Sequence, residues 1–396
     1  MTVAELTLSE VCEINPRIGR DHGLTDAALV SFVPMAAVDE IAGSIRDRQT
    51  RAFGEVRKGF THFRDGDVLF AKITPCMENG KSTIARDLVC GVGFGSTEFH
   101  VIRAGSNVLP EWIFYFVRQK KFRDLAKRNF TGTAGQQRVS TNFLASTKIP
   151  VPSLSEQRRI VDLLTRAEGI VRLRRDAQQR AAELIPAIFR KMFGDPESNP
   201  RGLQLRKVSD FVAQFQGGKN IQAGSEDPTG LRILKVSAVT SGRYLEKESK
   251  PAPDNYVAPA SHFVKVGDML FSRANTVELV GATALIEATD GQTLLPDKLW
   301  RIIWSEDVDV VYMHTLFQDA SVRRVLGKLA TGTSDSMRNI SQGKLFDLEL
   351  PVASLPEQRK FGLLASQAMG VISTQELGLV KARESFDSLM SQAFGG

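Results

Sequence analysis

One pattern appears twice in this chain, and that repetition constrains the fold more than any other feature. TGTAGQQRVS (131–140) returns as TGTSDSMRNI (331–340), GDVLFAK (66–72) as GDMLFSR (267–273), and IPVPSLSEQRR (149–159) as LPVASLPEQRK (350–360). Phe193-Gly194 is answered by Phe394-Gly395. The offset stays at 200 to 201 residues. Solenoid units run about 20–50 residues, too short to account for it. The repeat is therefore a whole domain plus a tail, present in two copies.

Each copy reads as mixed strands and short helices followed by one long helix. Gly-Asp and Asn-Gly turns and β-rich runs such as EFHVIRAG and KLWRIIWS mark the strands. EWIFYFVRQKKFRDLAKR and VYMHTLFQDASVRRVLGKLA predict a helix before each connection. The expected fold class is α+β, with domains at 1–150 and 202–351 and long helices at 151–195 and 352–396. Both long helices carry start signals: Ser153 with Glu156, and Ser354 with Glu357, fit the S-x-x-E capping box. Apolar residues follow at 3–4 spacing. The first series is Ile160, Leu163, Ala167, Ile170, Ala177, Ala181, Leu184 and Ile188, interrupted by Arg174. The second is Phe361, Leu364, Ala368, Val371, Ala382 and Leu389, weakened by Gln375, Gly378 and Ser385. A sustained 3.5-residue period predicts a coiled-coil seam, and the connections make the pair antiparallel. Pro186 should kink the first helix near its end.

Composition narrows the function. No apolar run approaches the roughly 20 residues that span a bilayer, and the start of the chain lacks a basic-then-apolar leader. Three scattered cysteines, Cys12, Cys76 and Cys90, argue against a disulfide framework and for a reducing cytoplasm. Five isolated histidines and the absence of Cys/His spacing give no reason to expect a metal. A net charge of +6 permits nucleic acid as a partner. Arg172, Arg174 and Arg175 give the first long helix a basic stretch, which reads as a solvated face or as a track for DNA or an acidic partner.

The stretch KITPCMENGKST (72–83) ends like a phosphate-binding loop. Such a loop needs a glycine five residues before the GK pair, so that backbone N–H groups can wrap phosphates. Pro75 stands there and has no N–H to give. A β-hairpin turning at Asn79-Gly80 is the better reading. It aligns with RANTVELVGATA (273–284), where Gly281 keeps the turn while Met77, Glu78 and Lys81 become Glu278, Leu279 and Ala282. A shared frame with different tips suits a reader of two different DNA sites. Candidate DNA contacts are Lys72 and Arg273 at equivalent strand ends, Lys81 exposed beside the turn, and Arg138 and Arg338 in the TGT loops. Gly132 and Gly332 would let the backbone approach phosphates; a tight turn packing domain against helix explains these loops equally well. GVGFGS (91–96) reads as a loop. No N-P-P-[FY] or D-P-P-[FY] segment and no G-x-S-x-G elbow is present, so the chain is expected to be non-catalytic.

The motifs IPVPSLSEQRR, LPVASLPEQRK, LFAKITPCMENGK and TGTAGQQRVS together resemble the specificity subunit of type I restriction–modification systems. The resemblance covers nearly the whole chain. It implies two target-recognition domains, each reading one half of a split asymmetric site in double-stranded DNA, and two conserved spacer helices. It also implies two modification subunits as partners, methylating adenine with S-adenosylmethionine, and a restriction subunit joining through them. The glycine-rich second helix (Gly362, Gly370, Gly378) departs from the pattern. Two other readings stay open: a DNA-binding regulator acting without a methyltransferase, and a nucleotide hydrolase using GKST, against which Pro75 stands.

Overall fold

The computed structural model of the chain describes residues 4–17, 23–133, 136–224, 230–253, 256–334 and 337–395. They form two compact units: unit 1 is Met1–Asp176 with Leu377–Gly396, and unit 2 is Ala177–Glu376.

Unit 1 is built on two four-stranded sheets. One runs Cys12–Ile14, Phe99–Ala104, Val68–Ala71, Ser82–Ile84, all antiparallel. The other runs Gln49–Ala52, Leu29–Val33, Val92–Gly95, Thr61–Arg64, with a parallel pair in its middle. Val68–Ala71 is buried at every position, which is why it reads as an unbroken apolar run. The segment read as a glycine loop is the strand Val92–Gly95. A Cβ at Gly93 would run into the Phe63 ring, and one at Gly95 into the Val33 carbonyl, so the glycines serve close packing. Helices α1 (Pro110–Arg118) and α2 (Lys120–Arg128) follow, separated at Gln119, whose ψ of 139° is extended. Ala4–Thr7 pairs antiparallel with Lys148–Val151, returning the chain to the point where the first long helix starts.

That helix comes in two pieces, α3 (Leu154–Ala182) and α4 (Leu184–Phe193). The break follows from Pro186, which cannot donate to the carbonyl four residues back, that of Ala182. Unit 2 repeats the antiparallel sheet as Val212–Gly217, Leu299–Trp304, Met269–Ser272, Thr283–Leu285. Its second sheet has three strands, Ser249–Pro251, Arg232–Leu234 and Thr293–Leu294. Helices α5 (Val310–Gln318) and α6 (Ala320–Leu329) part at Asp319, whose carboxylate accepts from Ser321 N at 2.8 Å. The last helix, α7 (Leu355–Phe394), runs 40 residues, about 60 Å at 1.5 Å each.

Each unit is closed by the tail of a long helix. In unit 1, Phe394 lies 4.3 Å from the Trp112 ring, and Met390 joins the same core as Leu164. The N-terminal part of α3 thus meets the C-terminal end of α7, an antiparallel pairing. In unit 2, Phe193 and Phe189 pack on Tyr312 and Phe361 at 5.1–5.9 Å between ring centroids. The end of α4 meets the start of α7 in the same sense.

The seam follows the apolar series at Ala177, Ala181 and Ile188 but slips from it over the first part of α3 and in part on α7. On α3 the buried and half-buried stripe is Gln157, Val161, Leu164, Glu168 and Val171, one residue on from the expected Ile160, Leu163, Ala167 and Ile170. Ile160 and Ala167 stay half-buried at its flank, but Leu163 and Ile170 are 41% and 53% exposed, and Leu184 is exposed as well. On α7, Phe361 and Ala368 are buried and Leu389 is partly buried, while Leu364 and Val371 give way to Ala365 and Ile372. The inward positions must also face the domain, and there polar side chains that hydrogen-bond to it displace apolar ones. The capping signals each form half a box. Ser153 Oγ accepts from Glu156 N at 3.4 Å, whereas Glu156 turns to Arg159. In the second copy Glu357 accepts from Ser354 N at 3.2 Å and from its hydroxyl at 2.6 Å.

Candidate nucleic-acid interface

Two of the repeated motifs, the strand end and the TGT loop, converge at one place in each unit. In unit 1 the strand Val68–Ala71 runs out to Lys72, whose N–H donates to Glu98 O at 2.9 Å and whose carbonyl accepts from Val139 N at 2.9 Å. Thr74 N donates to Gln137 O at 3.0 Å. Phe130–Thr131 and Arg138–Val139 form a short hairpin beside it. In unit 2, Arg273 N donates to Lys298 O at 3.2 Å, and Ile340 N to Arg273 O at 2.9 Å. Ala274 and Asn275 pair with Asn339 and Arg338.

The KITPCMENGKST segment joins Val68–Ala71 to Ser82–Ile84, so it is a hairpin with a long connection. Asn79 does not share a two-residue turn with Gly80; Gly80 N donates to Met77 O and Lys81 N to Cys76 O, a wider turn. Gly80 and Gly281 both take φ of 79°, in the left-handed region that glycine allows. The hairpin tip is not a free finger. Arg123 donates to Glu78 O at 2.6 Å and Arg323 to Glu278 O at 3.0 Å, pinning each tip to α2 or α6. Met77 is fully buried. Lys81, expected to be exposed, points inward: its side chain is 14% exposed, with Nζ 3.2 Å from Met35 O and 3.5 Å from Glu40. Ser82 and Thr83 are both buried, so the strand is covered on both faces, and Lys81 at its start is drawn in with them. Burial of the GKST tail in that strand also leaves no loop to wrap phosphates.

The remaining candidates lie at the convergence. Arg138 grips Glu98 with two bonds of 2.9 Å and gives a third to Gln136 O. The Arg138 hydrogen bonds hold the Glu98 carboxyl below the usual carboxylate range. Behind the pair, His100 Nε2 is 2.8 Å from Val139 O and Nδ1 3.1 Å from the Asn15 amide, and burial holds its pKa below the ordinary imidazole value. Lys72 is half-buried and makes no salt bridge among the described residues. Arg273 donates to Asp297 O at 2.8 Å and lies over the Trp300 ring at 5.6 Å. Arg338 borders a cleft of about 650 Å³ with Arg323, Arg324, Lys328 and Glu278. Gly132 has φ of 115° and is exposed, and Gly332 is exposed.

Sequence reasoning assigned the EQR motif to capping and missed its glutamine. Gln157 is fully buried, accepts from Leu109 N at 2.9 Å and donates to Asn107 O at 2.9 Å and Pro152 O at 2.8 Å. Gln358 repeats the clamp on Asp309 N at 3.1 Å and Ala353 O at 2.8 Å. Each long helix is thereby stapled to the start of α1 or α5. The signal was present: a capping box explains the serine and glutamate but not a glutamine repeated one position later in both copies.

A strand-end cation brought beside a loop arginine at the same place in two copies of one frame defines a module used twice. Residues 2–181 match the type I restriction modification DNA specificity domain. A type I restriction enzyme EcoEI specificity subunit from Escherichia coli is 27% identical over 86% of this chain and 73% of its own length. The EcoAI specificity subunit of the same organism is 36% identical over 39% of this chain and 26% of its own. Two solved structures share the fold. A chain from work on assembly and conformational transition of the type I R-M system has a TM-score of 0.61 at 20% identity, covering 98% of this chain and 97% of that one. The type I S subunit from M. genitalium gives 0.56 at 11% identity, over 100% and 96%. Over residues 2–181 this chain carries the DNA specificity domain of type I restriction–modification systems, and its curated relatives are specificity subunits of type I restriction enzymes. The regulator reading finds no support among these relatives. No helix among the described residues is long and apolar enough to cross a membrane.

Proposed function

We propose that each recognition domain reads one half of a split, asymmetric site in double-stranded DNA, through the major groove, where all four base pairs differ. The observation that carries this reading is the convergence of Lys72 with Arg138, and of Arg273 with Arg338, at matching places on two copies of one frame. The long helices set the distance between half-sites. They also dock two modification subunits. In support, the shifted seam leaves Leu163, Ile170 and Leu173 exposed on α3 and Leu363, Val371 and Leu377 on α7. Those partners, not this chain, bind S-adenosylmethionine and methylate adenine, and a restriction subunit joins through them. The complex works in the cytoplasm. A genome-wide map of N6-methyladenine with and without the gene tests the reading. Loss of one split motif is expected, and exchanging residues 1–150 for those of a relative should change one half only. Unchanged methylation with the partner genes expressed would sink it.

A further inference from the structure

Arg123 on α2 and Arg323 on α6 stand at matching places in the two copies, and each reaches under a hairpin tip. Arg123 donates to Glu78 O at 2.6 Å and Arg323 to Glu278 O at 3.0 Å. A Cβ at Gly80 would meet Arg123 Nη1 at 3.0 Å, and one at Gly281 would meet Arg323 Nη1 at 3.0 Å. Both guanidiniums thus lie against the left-handed glycine of the tip. Their neighbours on the helices are not kept: Lys120, Asp124 and Lys127 stand where the second copy has Ala320, Arg324 and Gly327. Lys127 pairs with Glu78, so unit 1 has a second hold on its tip that unit 2 lacks.

Neither arginine makes a salt bridge among the described residues. Burial holds both guanidinium pKa values below the ordinary one. A cation so placed carries a desolvation penalty that an apolar side chain of similar volume avoids, so stability alone does not account for it. What a guanidinium supplies here is a rigid fork of donors aimed at a carbonyl.

A carbonyl lets one helix position serve two different tips. Every residue offers one, so the grip is blind to the tip's side chains. It also tolerates a shift in path, because the gripped residue lies two before Gly80 but three before Gly281. The outward side chains are then free to differ: Pro75 and Asn79 are exposed in unit 1, and Val277, Glu278 and Leu279 in unit 2. Each tip borders the convergence of cations, through Thr74 N on Gln137 O and through Asn275 paired with Arg338.

We propose that Arg123 and Arg323 are positioning residues for base reading: each fixes an interchangeable tip in its own domain so that the tip's side chains meet base edges in register. They act through the tip and not on DNA directly. This deepens the DNA-reading function above and rests on it.

The test is equilibrium binding of the full chain, with its methyltransferase subunits, to a duplex bearing the mapped site and to its single-base variants. Arg323→Met keeps the apolar stem and removes the grip. It should keep the unit 2 melting transition and lower discrimination in the second half-site alone, by about five- to a hundredfold. Arg123→Met should act likewise on the first half-site alone, and more weakly, because Lys127 still holds Glu78. Arg123→Lys and Arg323→Lys keep a donor for the carbonyl and should recover most of the discrimination. The slope of log K against log salt should match wild type in all four, since each lost phosphate contact would change it by about 0.9. Folded Met variants that discriminate like wild type would overturn the assignment. So would one variant weakening both half-sites alike, a slope change of that size, or both Met variants failing to fold. A wild-type complex that binds no duplex at any salt would fell the DNA reading itself, a separate outcome.

Discussion

Replacing Gln157 should loosen unit 1 selectively, and its cost follows from three hydrogen bonds. Gln157→Ala removes the acceptor for Leu109 N and the donor for Asn107 O and Pro152 O, at a site with no solvent access. An orphaned buried group costs about 1–3 kcal/mol, and carbonyls tolerate it better than N–H groups. The total is about 3 kcal/mol, which lowers the melting temperature of a unit this size by roughly 6–12 °C. Gln157→Glu is the sharper variant. It keeps the acceptor for Leu109 N but sets a carboxylate against two carbonyl oxygens. Burial and those oxygens raise its folded pKa above the unfolded value of about 4.3. A group raised in this way contributes stability below the unfolded pKa and loses it as pH rises through the folded pKa. Gln157→Glu should therefore lie closer to wild type near pH 4 than at pH 7, while Gln157→Ala shows the same deficit at both. Calorimetry with the two units resolved measures this. Both variants melting within about 1 °C of wild type at pH 7 would refute the clamp.

Other consequences are as direct. Gly362→Ala would drive a Cβ into the Asp309 carboxylate that caps α5, and should cost about 1–2 kcal/mol in urea unfolding. Gly370→Ala, with nothing within 4 Å, should add about 0.5–1 kcal/mol of helix stability. Phe394→Ala removes the ring against Trp112 and should lower the unit 1 transition by about 3 kcal/mol, leaving unit 2 in place. The depressed His100 pKa means that the unfolded chain binds the proton first. Unit 1 should hold full stability above about pH 6.5 and lose it as pH falls through the window below. A His100→Asn variant, melted at pH 7 and pH 5, should flatten that dependence.

The sequence carried the architecture because the repeat is written in backbone-determining residues. Gly80 and Gly281, Ser153 and Ser354, and Pro186 act through local conformation, and local conformation is legible one residue at a time. The seam over the first part of α3 was not legible, because that stretch must satisfy a partner helix and a domain together. Glu168 faces inward to reach Tyr115 and Arg118, at 3.1 and 2.5 Å, while Ile170 and Leu173 stay out. A periodicity count assigns the inside to apolar side chains and so slips by one residue. Lys81 misled for a related reason. Its ion pair with Glu40 spans 41 positions, and no spacing rule reports a partner that distant. Lys72, Arg138, Arg273 and Arg338 were chosen separately, as strand-end or loop cations. Their meeting depends on pairings between Ile73 and Arg138 and between Asn275 and Arg338 that only the sheet reveals.

The closure of unit 1 by Phe394 has a consequence for synthesis. The core around Trp112 and Phe116 is complete only with residues from Leu377 onward, and all 200 residues of unit 2, Ala177–Glu376, are translated in between. At about 5–20 residues per second, that interval is roughly 10–40 s. Unit 2 is contiguous and can fold as soon as it leaves the ribosome, although unit 1 is translated first. On stalled nascent chains, protease protection should therefore appear in the reverse of chain order. During the wait, the apolar floor beneath Phe394 is open to solvent and to chaperones.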